Sequence, residues 1–145
     1  MQIKIRNFEI EDLCEIARLT SQLGYPTSIG KILPRLQRLH NNSDHRILVA
    51  DDEKLGVVAW MHLRTDLTLA SDPKIEVVGL VVDERKRGQG IGRLLMREAE
   101  KFARDMEYKI VRLRTNVARD DAHKFYERLG YNLRKTSHMF VRELE

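Results

Sequence analysis

The stretch that most constrains the fold is residues 75–106, IEVVGLVVDERKRGQGIGRLLMREAEKFARDM, which joins an apolar strand to a long helix through a basic, glycine-rich turn. From Ile75 to Val82 nearly every residue is apolar or β-branched and only Glu76 is charged, the pattern of a strand covered on both faces. Asp83 ends the run. After Gly92, Leu94, Leu95, Ala99, Phe102, Ala103 and Met106 recur at the three- and four-residue spacing of an amphipathic helix.

The turn reads Arg85, Lys86, Arg87, Gly88, Gln89, Gly90, Ile91, Gly92, with Arg93 following. Glycines at alternate positions free the backbone to approach a ligand, and the first turn of a helix presents N–H groups without intrahelical partners. With three cations close by, the segment suits an anion, and a pyrophosphate is the obvious one. Two other phosphate loops do not fit. A dinucleotide fingerprint counted from Gly88 requires glycine where Arg93 stands and expects its first glycine at the strand's end, whereas residues 83–87 intervene, all of them charged. A Walker loop lacks its Gly-Lys-Ser/Thr.

Composition sets the class. The chain has 145 residues, 42% of them hydrophobic, enough for one domain with a real core. Lys and Arg outnumber Asp and Glu by 26 to 22, a net charge of +4, which is short of a nucleic-acid-binding excess and agrees with a polyanionic cofactor. A single cysteine excludes an internal disulfide. Neither a signal peptide nor an apolar run of about 20 residues is evident, so a cytoplasmic protein with no membrane association is expected.

The order of elements is legible along the chain. Residues 2–7 alternate as a strand. Residues 9–23 carry Leu13, Ile16, Ala17, Thr20 and Leu23 at helical spacing, and Gly24-Tyr25-Pro26 breaks the chain. A second helix is expected over 28–40, kinked or shortened by Pro34. Strands are expected over 46–50 and 55–63 as an antiparallel hairpin, followed by a loop over 65–73 that reaches the central strand. A strand at 111–115, a helix at 120–129 and short strands near 131–134 and 138–144 complete the series. This order points to a mixed α/β sheet with helices on both faces. Gly79, within the central strand, marks either a bulge or a close-packing site.

Two motifs together resemble the GNAT superfamily of N-acetyltransferases. Arg87, Gly90 and Gly92 match its Arg/Gln-x-x-Gly-x-Gly/Ala turn, and Ala122, Tyr126, Gly130 and Tyr131 match its Ala-x-x-x-Tyr-x-x-x-Gly-aromatic segment. The resemblance implies a single N-acetyltransferase domain over residues 1–145, with a mixed, mostly antiparallel central sheet and helices on both faces. It further implies that acetyl-CoA is the acetyl donor, with the pyrophosphate gripped by Arg87, Gly88, Gln89, Gly90, Ile91, Gly92 and Arg93. The pantetheine arm would bond Leu80, Val81 and Val82, where the central strand and the 111–115 strand splay apart. Many members carry Asn where this chain has Arg119, a cation able to reach a phosphate instead.

Acyl transfer from a thioester to an amine needs a proton acceptor for the amine and a proton donor for the departing thiolate. Glu76 lies eleven positions before Arg87, the spacing of the general base in GNAT members with a strand glutamate. Partial burial would suit a carboxylate to that role near neutral pH, whether directly or through water. The other reading is a strand-start carboxylate in solvent or an ion pair. Tyr126 matches the family's tyrosine acid, and a phenol is ordinarily protonated at neutral pH. Its alternative is a core tyrosine with a satisfied hydroxyl.

Cys14 reads as a small core residue rather than a nucleophile, so direct transfer is expected. His40, His45, His62, His123 and His138 have no metal-ligand spacing, and His123, which could serve as a second base, reads rather as a solvent-facing helix position. The amine would come from a small molecule or peptide, in a pocket made by the two N-terminal helices and the 65–73 loop, where Asp66 and Asp72 could attract a cation. A domain that holds acyl-CoA as a sensor without turnover is the alternative. Homodimer formation through a sheet edge stays open.

Overall fold

The computed structural model describes residues 2–115 and 120–145. Residues 1–114 and 115–145 form two compact units. The first contains β1 (Ile3–Asn7), a 3₁₀ turn (Ile10–Asp12), α1 (Leu13–Gln22), α2 (Ile29–His40), β2 (His45–Asp52), β3 (Gly56–Thr68) and β4 (Ser71–Val82). A second 3₁₀ turn (Glu84–Lys86), α3 (Ile91–Asp105) and β5 (Val111–Leu113) follow.

The five strands form one sheet in the order β1-β2-β3-β4-β5. Every neighbouring pair is antiparallel except β4 and β5, which run parallel because α3 carries the chain back between them. Cross-strand pairing of Ile47 with His62, Val49 with Trp60 and Trp60 with Val81 sets these side chains on one face. Ile16, Leu19, Ile32 and Leu36 of α1 and α2 are buried against that face. On the other face, α3 buries Leu95, Met96, Ala99 and Ala103, and the Arg46 guanidinium stacks 4.3 Å above the Phe102 ring. The expected mixed, mostly antiparallel sheet with helices on both faces is therefore present.

Local chemistry explains several boundaries. The sequence marked a helix from residue 9; the structure begins with a capping box, in which Glu9 and Asp12 satisfy each other's backbone donors, and enters α1 at Leu13. α3 ends in a Schellman motif, with Tyr108 N–H donating to the Ala103 carbonyl at 2.8 Å and Glu107 N–H to that of Arg104 at 2.9 Å. Glu107 occupies the left-handed position at φ 63°, where glycine is the usual residue.

Several expectations are corrected. α2 is not shortened by Pro34; it runs on to His40, because its buried Ile32 and Leu36 outweigh the one backbone hydrogen bond that proline forfeits. Residues 65–73 are not a loop: β3 and β4 continue as a hairpin to a tip at Leu69-Ala70. Leu94 and Met106 sit at the rim of the α3 stripe and are largely exposed. Cys14 is exposed rather than core.

In the second unit, α4 (Asp120–Arg128) ends as the motif requires. Gly130 takes φ 93° and donates to the Glu127 carbonyl at 3.0 Å, while Tyr131 N–H reaches that of Tyr126 at 3.0 Å. The expected strands at 131–134 and 138–144 are not formed. Alternation of apolar residues suggests a strand, but only hydrogen bonds to a neighbouring edge make one.

Candidate active site

The glycine-rich turn leaves its backbone open to approach. Gly88 and Gly90 have φ of 79° and 87°, and Gly90 is the N-cap of α3 without a side-chain cap. A Cβ at either glycine would meet no atom within 4 Å, so open space lies beside the backbone there. The helix dipole and the first N–H groups of α3 face no acidic residue in the first turn. Ile91 itself is core, so its backbone amide rather than its side chain is available.

The cations of the turn are not equivalent, which the sequence does not reveal. Arg85 is paired with Asp83 at 2.8 Å and Lys86 with Asp52 at 3.5 Å. Asp83, fully buried, also accepts from Arg18 of α1 at 2.9 Å. Hydrogen bonds from Arg85 above all, with Arg18 adding, hold its carboxyl well below the usual carboxylate range. This carboxylate fastens the turn to α1. Arg87 instead turns back, donating to the Val82 carbonyl at 3.0 Å, while Arg93 in the first turn of α3 is exposed.

β4 changes its surroundings midway. β5 pairs only with Ile75, Glu76 and Val77, so from Val78 onward β4 has no described neighbour on that edge. The register with β3 shifts at the same place, between the pairs His62–Gly79 and Leu63–Val77, leaving Val78 as the extra residue of a bulge. Gly79 also allows close packing, since a Cβ there would lie 2.8 Å from the Trp60 ring. Both readings of Gly79 hold together.

The bulge brings Glu76 and Gly79 to one face, the face of Trp60, His62 and Arg64. Glu76 is 7% exposed. Its Oε2 accepts from Arg64 Nη2 at 3.0 Å and from Arg112 Nη2 of β5. Arg112 also donates to Asp66 at 2.7 Å, and Lys74 lies 3.9 Å from Asp66. Burial of Glu76 was legible in the sequence; the two guanidiniums were not. Asp66 is part of this network and therefore has its countercharges already.

On the same face a cavity of about 550 Å³ opens between the end of α1, the following loop, α2, β3 and β4. Thr27, Lys31, Arg35, Trp60, His62 and Gly79 are on its wall. Both N-terminal helices line it, whereas the 65–73 segment, committed to the hairpin, does not. His62 Nε2 lies 2.8 Å from His45 Nδ1. Burial first, then the neighbouring charges of His45 and Arg64, push His62 from the ordinary 6.5 down to about 4, so it is neutral at physiological pH. Lys31, Arg35, Trp60 and His62 were not singled out from sequence. Their one available signal was the i, i+4 spacing of the two cations.

In the second unit, the Tyr126 ring meets those of Phe125 and Tyr131 edge-on, at 5.0 and 6.1 Å between centroids. Ala122, Phe125, Tyr126 and Leu129 are all half-buried, the three- and four-residue spacing of one helix face. His123 is half-buried too, not solvent-facing. Arg119 lies outside the described residues.

Residues 10–131 match the family model described as Acetyltransferase (GNAT) family, from before α1 to the aromatic after Gly130. The chain belongs to the GNAT acetyltransferase family. It is an acyltransferase that uses acetyl-CoA as donor and an amine as acceptor. The aminoalkylphosphonate N-acetyltransferase of Salmonella typhimurium is 34% identical over 87% of this chain and 76% of its own length. The N-acetylaspartate synthetase of Rattus norvegicus is 34% identical over 66% of this chain, which corresponds to only 30% of that protein. Among solved structures, glucosamine-6-phosphate N-acetyltransferase from Arabidopsis thaliana has a TM-score of 0.84 at 21% identity, covering 99% of this chain and 100% of that one. At that identity the likeness concerns the fold alone. Among the described residues no group of side chains could hold a metal ion, and no helix is long and apolar enough to cross a membrane.

Proposed function

We propose that residues 1–145 form one N-acetyltransferase domain that moves an acetyl group directly to the primary amine of a small molecule, within a ternary complex. The observation that carries this reading is the junction at Val78 and Gly79. They are the first residues of β4 without a β5 neighbour, and they also form part of the cavity wall. An acyl donor along the free edge and an amine in the cavity would meet there.

The residues present fit coenzyme A. Gly88, Gln89, Gly90 and the amides of Ile91, Gly92 and Arg93 would hold the pyrophosphate, with Arg87 and Arg93 adding charge. Leu80, Val81 and Val82 would offer backbone groups to the pantetheine arm. Bound there, coenzyme A supplies an activated acyl group on its thiol. Glu76 serves as base: its Oε2 is anchored by two guanidiniums, while its Oε1 has no hydrogen-bond partner among the described residues. Tyr126 is the acid that returns a proton to the thiolate. Salmonella typhimurium's aminoalkylphosphonate enzyme bears a name that supports a small amine acceptor.

The arginine clamp on Glu76 also favours a second reading, in which Glu76 is structural and the domain holds acyl-CoA without turnover. Nucleic acid is disfavoured as a partner, since Arg85 and Lys86 are already paired. Turnover against pH separates the readings. Glu76→Gln should lower kcat by roughly 10²- to 10⁴-fold and remove the acidic limb of the profile, while Tyr126→Phe should lower kcat and keep that limb. Wild-type rates in Glu76→Gln would exclude its role as base.

A further inference from the structure

The wall of the cavity carries positive charge that the fold itself does not use. Lys31 and Arg35 stand one turn apart on α2 and so share a face. Neither makes an ion pair with a described residue, whereas Arg18, Arg64, Lys74, Arg85, Lys86 and Arg112 all do. Lys31 also stands in the first turn of α2, where the helix dipole opposes a cation, and that turn holds no acidic residue. Two like charges, one of them at the positive end of a helix, repel each other until an anion sits between them.

Two further groups point the same way. The Trp60 indole Nε1–H and the Thr27 hydroxyl are buried, and neither has a hydrogen-bond partner among the described residues. Both residues line the cavity, which among the described residues has no carboxylate on its wall. A buried donor without an acceptor is costly, so an oxyanion that drew either group toward the cavity would recover a hydrogen bond as well as charge. At the opposite end, along β3, His62 is followed two residues later by Arg64, about 7 Å on, and Arg64 holds Glu76.

We propose that the acceptor is a short primary amine bearing a terminal oxyanion, a phosphonate, phosphate or carboxylate, with Lys31 and Arg35 binding the anion and the amine directed toward Glu76. This rests on the reading of the cavity as the acceptor site of an acetyltransferase. It gives α2 a chemical role, selection of the substrate, and makes the charge of the acceptor its main specificity determinant. The cavity volume of about 550 Å³ suits a small molecule.

The test compares acceptors of equal length in an acetyl-CoA turnover assay: 3-aminopropylphosphonate, 4-aminobutyrate, butylamine and 1,4-diaminobutane. The two anionic amines should exceed butylamine in kcat/KM by roughly tenfold to a hundredfold, as charge-assisted hydrogen bonds imply. Lys31→Gln with Arg35→Gln should collapse that ratio, whereas Arg38→Gln, on the same helix but off the cavity wall, should leave it intact. Both cavity residues are exposed, so the double variant should fold, and circular dichroism checks this. Calorimetry with propylphosphonate, which has no amine, reads the anion site without turnover.

Equal rates for all four amines, a preference for the diamine, or a ratio that survives the double substitution would overturn the proposal and leave the acetyltransferase reading standing. If no amine is acetylated yet propylphosphonate binds wild type and not the double variant, the anion site stands and direct transfer fails. Absence of both would overturn both.

Discussion

Gly79→Ala probes the place where strand geometry and the proposed acceptor cavity coincide. The backbone at residue 79 is not in the left-handed region, so alanine meets no dihedral penalty and the effect is one of packing. The added Cβ would lie 2.8 Å from Cζ3 and 2.9 Å from Cη2 of Trp60, both inside contact distance. The indole must move, and since it lines the cavity its escape is into that space. Overpacking of this kind costs about 1 to 3 kcal/mol. At about 2 to 4 °C per kcal/mol for a chain near this size, the melting temperature should fall by roughly 2 to 12 °C, and the acceptor KM should rise as the cavity narrows. Phenylalanine lacks the outer edge of the indole, so Gly79→Ala should cost much less in a Trp60→Phe background. A double-mutant cycle by thermal denaturation measures the coupling. Additivity within about 0.5 kcal/mol would refute the contact as the cause.

Glu107→Gly should stabilise the protein by about 1 kcal/mol, because glycine removes the left-handed strain at the end of α3; unchanged or lower stability in urea titration would contradict this. His62 makes stability depend on pH with a definite sign. Its folded value of about 4 lies below the ordinary 6.5, so the unfolded chain binds more protons between these values and stability falls as pH is lowered through that window. The loss between pH 7 and pH 5 should be about 1 to 2 kcal/mol, toward the low end because the ring is partly exposed. His62→Gln should flatten the curve there, and an unchanged slope in calorimetric melts would remove His62 as its source.

The sequence was most informative where chemistry is local. The strand from Ile75 to Val82, the turn through Gly90 and the stripe of Leu95 and Ala99 are each written within a few residues, and the structure keeps them in register. Gly130 likewise announced the end of α4. What escaped is convergence between distant segments. Lys31 and Arg35 are ordinary in the sequence and gain meaning only where α2 places them on one cavity wall with Trp60 and His62. An ion pair was one of the readings open for Glu76, but its partners were not legible until β3 and β5 place Arg64 and Arg112 beside it. Pro73 and the exposed Leu67 and Leu69 hid the β3–β4 hairpin, since a proline and an outward-facing apolar residue both weaken a strand pattern. Paired and free cations in the turn were equally indistinguishable, because Asp52 and Asp83 reach Lys86 and Arg85 through tertiary packing.

The most direct measurement of the central claim, that the Gly88–Arg93 cradle anchors the cofactor, is thermal stabilisation by coenzyme A in wild type and in Gly90→Asp. At a hundredfold excess over the dissociation constant, binding should add about 2.7 kcal/mol, or roughly 5 to 11 °C. Gly90 is the left-handed N-cap at φ 87°, a conformation aspartate tolerates better than most residues, with open space where its Cβ would stand. The variant should therefore fold, yet its carboxylate occupies the anion cradle. The account predicts that coenzyme A no longer stabilises the folded variant; equal stabilisation of the two proteins would place the pyrophosphate elsewhere and contradict it.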